Sequence, residues 1–148
     1  MPEANFKILS YQLPDLQIDG LNTTIINCQT VDQLKTLLKK YRQSILIIVC
    51  CSNHLIEIDQ LLINYKIDTL YVLNNQEDQD IREWLTGLII GNIIEINNRK
   101  QLMRNLSTKI MLCYYNQGLE HRRNSDIGLA NLCFIDSLNA LNYSAQFI

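Results

Sequence analysis

The chain is poor in the residues that break and turn a backbone: of 148 residues, 5 are glycine and 2 are proline. That scarcity excludes a sandwich of many tight turns and excludes long flexible linkers. A formal net charge of -2 gives no electrostatic footprint, so neither nucleic acid nor an anionic membrane is expected as a partner. No run approaches the roughly 20 apolar residues of a membrane span. Met1-Pro2-Glu3-Ala4-Asn5 lacks the basic and apolar stretches of a secretory signal, from which a cytoplasmic protein is expected. No C-x-x-C pair occurs among Cys28, Cys50, Cys51, Cys113 and Cys133. Their number is odd, and adjacent Cys50 and Cys51 point to opposite faces of a strand, so reduced, buried thiols are expected. No glycine-rich phosphate cradle follows any candidate strand, and no cofactor is expected.

What is present is a clear alternation of strands and helices. Ser44-Ile45-Leu46-Ile47-Ile48-Val49-Cys50-Cys51 carries no charge. A run this short and uniformly apolar reads as a strand covered on both faces, since a half-exposed strand would alternate apolar with polar. Phe6 to Tyr11, Thr23 to Cys28, Thr69 to Leu73 and Asn92 to Ile96 read as further strands. Pro14 and the short connection to the second strand place the first strand at or near a sheet edge.

Between the strands lie amphipathic stretches. Thr30-Val31-Asp32-Gln33 matches a capping box and opens a helix to about Gln43, with Val31, Leu34, Leu37, Leu38 and Tyr41 on one face. Lys35, Lys39, Lys40 and Arg42 lie on the other side, where cations near a helix C-terminus complement its dipole and a solvated face is expected. Ser52-Asn53 is placed to cap a second helix striped by Leu55, Ile58, Leu61, Leu62 and Tyr65. Its extra Ile56 and Ile63 predict burial between neighbours or contact with a partner. Asn74-Asn75-Gln76 opens a third helix carrying Ile81, Trp84, Leu85 and Leu88, with Gly87 and Gly91 at its end. The alternation implies an α/β fold: a three-layer doubly wound, mainly parallel sheet of four to five strands.

After Asn98, which with Gln101 makes a cap signal, one helix carries Leu102, Leu106, Ile110, Cys113 and Tyr114 on one stripe. Asn124-Ser125-Asp126 interrupts. A second helix follows, from about Ile127 to Tyr143, with Ala130, Cys133, Phe134, Ser137, Leu138 and Leu141 facing one way. The division expected is an α/β domain over residues 1–98 and a C-terminal helical hairpin over 99–148 packed on it.

Candidate chemistry is thin. In doubly wound sheets ligands bind at the carboxyl ends of the strands, which here carry Cys51-Ser52-Asn53-His54, Asn74-Asn75-Gln76 and Asn97-Asn98. These Asn and Ser residues serve equally well as helix caps. His54 and His121 are far apart in sequence, and no carboxylate has the i, i+4 spacing to a His on one helix face that a metal site would show. Glu77-Asp78-Gln79-Asp80 offers paired carboxylates, yet acidic residues in a first helical turn answer the dipole. Cys51 at a helix start lacks a base, and His121-Arg122-Arg123 suits a helix C-terminus as well as an acidic partner. The reading therefore names no catalytic, cofactor-binding or metal residue.

The pattern from Phe6 to Asn97 resembles the receiver-like, flavodoxin-like modules, whose active members hold acidic residues after the first strand, a phosphate-accepting Asp after the third, Ser or Thr after the fourth and Lys after the fifth. The strand ends here read Tyr11-Gln12, Cys51-Ser52, Asn74-Asn75 and Asn97-Asn98, so the resemblance implies a degenerate receiver without phosphotransfer. Tyr114, Gly118, Ala130 and Phe134, with Ser137 in place of Ala, look like one tetratricopeptide-like hairpin, departing at Gln117, His121 and Asn142. A single such repeat cannot bury its apolar face alone. The whole is similar to the segment preceding ADP-ribosyltransferase and repeat domains in some multidomain invertebrate proteins, and no transferase motif is present. A noncatalytic protein-interaction or regulatory module follows as the expectation, with a protein partner or self-association through the hairpin. The alternative is small-ligand binding, of a nucleotide or flavin, or an enzymatic role at the Asn-rich strand ends.

Overall fold

A computed structural model describes residues 4–13, 16, 25–74 and 90–147. Five strands, β1 (Phe6–Tyr11), β2 (Ile25–Cys28), β3 (Ile45–Cys51), β4 (Thr69–Leu73) and β5 (Asn92–Ile96), form one all-parallel sheet in the order β2-β1-β3-β4-β5. This is the flavodoxin-like order of a doubly wound sheet, and with the C-terminal helical pair it gives the expected three-layer α/β class. The uncharged run becomes the central strand. Every residue of β3 after Ile45 is buried, and Ile47 lies opposite Ile8 on one side and Thr69 on the other.

The first strand lies near the edge of the sheet, as expected, but is not itself the edge strand. β2 takes that place, and β1 sits one position in, paired with both β2 and β3. The reason is burial on both faces: Phe6 and Ile8 point into one apolar cluster, Leu9 and Tyr11 into the other. The ladder of β1 ends at Tyr11, before Pro14 could interrupt it. Buried Ser10 satisfies its hydroxyl locally by donating to the Leu13 carbonyl at 3.1 Å.

One face is closed by α1 (Val31–Lys40) and α2 (Leu55–Leu62), whose Leu34, Leu38, Leu55, Ile58 and Leu62 pack on Ile48, Cys50, Leu70 and Val72. The cap at Thr30 forms: its hydroxyl accepts from Gln33 N–H at 3.1 Å, while the Gln33 side chain reaches Gln29 N–H at 2.8 Å, one residue beyond the usual box. The expected Ser52-Asn53 cap does not form. A 3-10 turn (Ser52–His54) leads into α2 without a side-chain cap, and the Ser52 hydroxyl turns instead to Asn74. Ile56 and Ile63 of that helical segment face outward.

The other face is closed by α3 (Arg99–Arg123), which lays Leu102, Leu106, Ile110, Cys113 and Tyr114 on Ile8, Ile47, Val49, Tyr71 and Ile96. Asn98 caps it, accepting from Gln101 N–H at 2.8 Å. Leu13 and Leu16, from the β1–β2 connection, join the same cluster. Gln117 accepts from Asn5 N–H at 3.2 Å and so ties α3 to the entry of β1. Phe6 and Tyr114 meet edge to face at 5.0 Å.

α4 (Ile127–Ser144) runs back along α3 and ends in a 3-10 turn (Ala145–Phe147). Its buried stripe differs from the expected one. Ala130, Cys133, Ser137 and Ala140 are buried, whereas Leu138 and Leu141 are 59% and 46% exposed. Close helix approach explains the substitution of small for large. A Cβ placed on Gly118 would lie 2.6 Å from the Phe134 ring, and Ser137 donates to the Met111 carbonyl at 2.9 Å, contacts that larger residues would forbid. The expected helix through Ile81, Trp84, Leu85 and Leu88, together with Thr23, Thr24, Asn75, Gln76, Glu77-Asp78-Gln79-Asp80 and Gly87, lies outside the described residues.

Candidate functional site

The order β2-β1-β3-β4-β5 reverses direction between β1 and β3, so the carboxyl ends of those two strands frame the crevice where doubly wound sheets receive ligands. Tyr11 closes β1 there, and His54 and Glu57 arrive from the turn after β3 and the first turn of α2. The Tyr11 hydroxyl donates to Glu57 Oε2 at 2.6 Å, and His54 Nδ1 lies 3.2 Å from Glu57 Oε1. The His54 ring meets the Tyr11 ring edge to face at 6.2 Å. One carboxylate is thus held by two donors from two elements.

The electrostatics follow from that arrangement. Burial, then the neighbouring Glu57 carboxylate, pushes the Tyr11 phenol up to about 12, so it stays a hydrogen-bond donor at neutral pH. The Tyr11 hydrogen bond, then that of His54, holds Glu57 below the ordinary glutamate value. A second set lies further along the strand ends. Ser52 donates to Asn74 Oδ1 at 3.3 Å, and Asn74 Nδ2 donates to Glu95 Oε1 at 2.8 Å, joining β3, β4 and β5.

Two of the Asn residues suspected of ligand contact are engaged in structure: Asn74 links strand ends and Asn98 caps α3, while Gln101 covers the backbone N–H of Asn97 at 3.1 Å. Cys51 packs in the cluster facing α3, whereas Tyr11, the ring partner of His54, belongs to the cluster on the opposite face of the sheet. The thiol and the imidazole consequently sit on different sides. Burial pushes Cys28 and Cys113 up to about 11 and raises Cys50 and Cys133, which keeps these thiols protonated at neutral pH. His121, with Arg122 and Arg123, occupies the last turn of α3, and its carbonyl accepts from Asp126 N–H at 2.8 Å. Among the described residues no group of three or more His, Cys, Asp or Glu is placed to hold a metal ion.

Sequence reasoning passed over Tyr11, Glu57 and Glu95. Tyr11 and Glu57 are 46 residues apart, and only the parallel pairing of β1 with β3 brings them together. The available signal was a carboxylate in the first turn of the helix after the central strand, at i, i+3 from His54. Chemically the cluster offers a protonated phenol, an imidazole oriented through Nδ1 and a carboxylate already shared between them.

A different surface stands out on the hairpin. Leu112 and Tyr115 of α3 and Ile127, Ile135, Leu138 and Leu141 of α4 are exposed large apolar residues. Tyr115 meets Phe134 at 5.7 Å, bridging the two helices. No helix among the described residues is long and apolar enough to cross a membrane. Comparison with known proteins finds nothing similar: no family model, curated protein or solved structure matches the chain.

Proposed function

We propose that the chain is a noncatalytic protein-interaction module, a receiver-like α/β scaffold without phosphoacceptor residues that presents its C-terminal hairpin to a protein. The observation that carries this reading is the exposed apolar band on the hairpin. Ile135, Leu138 and Leu141 follow one another at i, i+3 along α4, and Tyr115 and Phe134 continue the band toward α3. Apolar surface left out of the core, on helices that each already bury a face, is the usual mark of a docking face. The strand ends support the same reading, because Ser52, Asn74 and Glu95 bond to one another and Asn98 caps a helix start. A tetratricopeptide-like hairpin and a cytoplasmic setting belong to the proposal; five buried cysteine thiols fit a reducing compartment.

The test is light scattering coupled to size exclusion, together with capture from native extract, for the chain and for its Leu138→Glu/Leu141→Glu variant. Association present in the parent and lost in the variant, with the urea midpoint unchanged, is the expected result. A parent that stays monomeric and retains nothing defeats the proposal.

A further inference from the structure

At the opposite end of the sheet from the strand carboxyl ends, four cations converge from four separate segments. Lys7 comes from the start of β1, Lys40 from the last turn of α1, Arg42 from the turn that follows it and Lys66 from the turn before β4. Lys7 Nζ and Lys40 Nζ lie 5.1 and 5.3 Å from the centre of one ring, that of Tyr41, while the Arg42 guanidinium lies 5.6 Å over Tyr65. Beside them is a groove lined by Arg42, Gln43, Ser44, Ile45, Lys66 and Asp68. The carboxylate in the groove is already engaged, Asp68 Oδ2 standing 2.8 Å from Lys109 Nζ.

The carboxyl ends of α1 and α2 point to this region, but each brings only about half a negative charge, so together they offset about one of the four cations. The surplus positive charge is local, since the chain as a whole carries a net charge of -2. The ring faces that would stack nucleic-acid bases are taken by the chain's own cations. The groove instead offers exposed Ile45, 38% accessible, next to the charged groups, an apolar contact suited to a side chain. We infer that the groove between the α1–β3 turn and the turn before β4 is a docking site for an acidic polypeptide segment, read by Arg42 and Lys66 and strengthened by Lys7 and Lys40. The site is separate from the hairpin band, and its success or failure leaves that reading untouched.

A fluorescein-labelled peptide of consecutive glutamates, titrated with the full chain and followed by anisotropy at low ionic strength, tests this. The expected result is saturable binding that weakens as salt is added. The Arg42→Gln/Lys66→Gln variant should lose roughly tenfold in affinity, while Arg122→Gln/Arg123→Gln, with the same loss of charge elsewhere, should bind as the parent does. Both pairs are exposed, and a urea midpoint for each variant confirms that the fold is kept. Absence of binding, equal loss in both variants, or tighter binding of a single-stranded oligonucleotide or of anionic lipid vesicles would overturn the assignment.

Discussion

The two helices of the hairpin solve the same packing problem in opposite ways. α3 turns its large residues inward, with Leu102, Leu106 and Ile110 fully buried against the sheet. α4 turns its small ones inward, with Ala130, Cys133, Ser137 and Ala140 against α3, and leaves Ile135, Leu138 and Leu141 outside. A helix resting on a sheet has room for leucine between the layers; two helices close enough for the Ser137 hydroxyl to reach the Met111 carbonyl, with the Phe134 ring seated on Gly118, have little. Spacing between layers, more than hydrophobicity, decides which residues become core and which become surface.

Alkaline pH should have the largest effect, because it acts on several buried groups together. Tyr71 and Tyr114 are pushed up to about 12 and Cys113 to about 11, all by burial first, on the side where α3 meets the sheet. In the unfolded chain these groups ionise near 9 for the thiol and 10 for the phenols. Their contribution is thus full below those values and is lost as pH rises from there through the folded values. The urea midpoint should hold steady at neutral pH and fall progressively between pH 9 and 12, with no corresponding contribution from the outer row of α4.

Next in size, Leu106→Ala should cost about 2–5 kcal/mol, measured by urea unfolding, because it opens a cavity in a site from which water is excluded. Gly118→Leu should cost about 1–3 kcal/mol by forcing the Phe134 ring away. Adding Phe134→Ala should recover part of that loss, and a double-mutant cycle reads the coupling. Strict additivity would mean that the helices do not meet through this pair. Ser125 has φ 64°, in the left-handed region, at the turn between the helices. Ser125→Gly removes that strain and should stabilise by about 0.5–1 kcal/mol. Smallest of all, Leu138→Ser should change the stability read from urea unfolding by no more than about 0.5 kcal/mol. A loss as large as that of Leu106→Ala would place Leu138 in the core and erase the contrast.

Much of the fold was legible before the structure. The uncharged Ile45–Cys51 run, the Thr30 and Asn98 caps and the helical stripe of α3 are local signals, set by backbone hydrogen bonding and by the period of each element. The candidate site was far less legible. Tyr11, His54 and Glu57 meet only after two strands distant in sequence become neighbours, and neither the sheet order nor β1's interior place is a local property. The basic end was visible only in part: Lys40 and Arg42 fall close together in sequence, whereas Lys7 and Lys66 join them through the sheet.

By itself, then, the sequence determined which of the described stretches are strands and helices, how α1 and α3 are capped and that the sheet must be covered on both sides, because those follow from propensity, periodicity and the cost of exposing apolar surface. Only the tertiary structure decided which face of α4 is buried, which strand is the edge and which charges gather at one end. These depend on distances between layers and on the neighbours that chain crossing brings together.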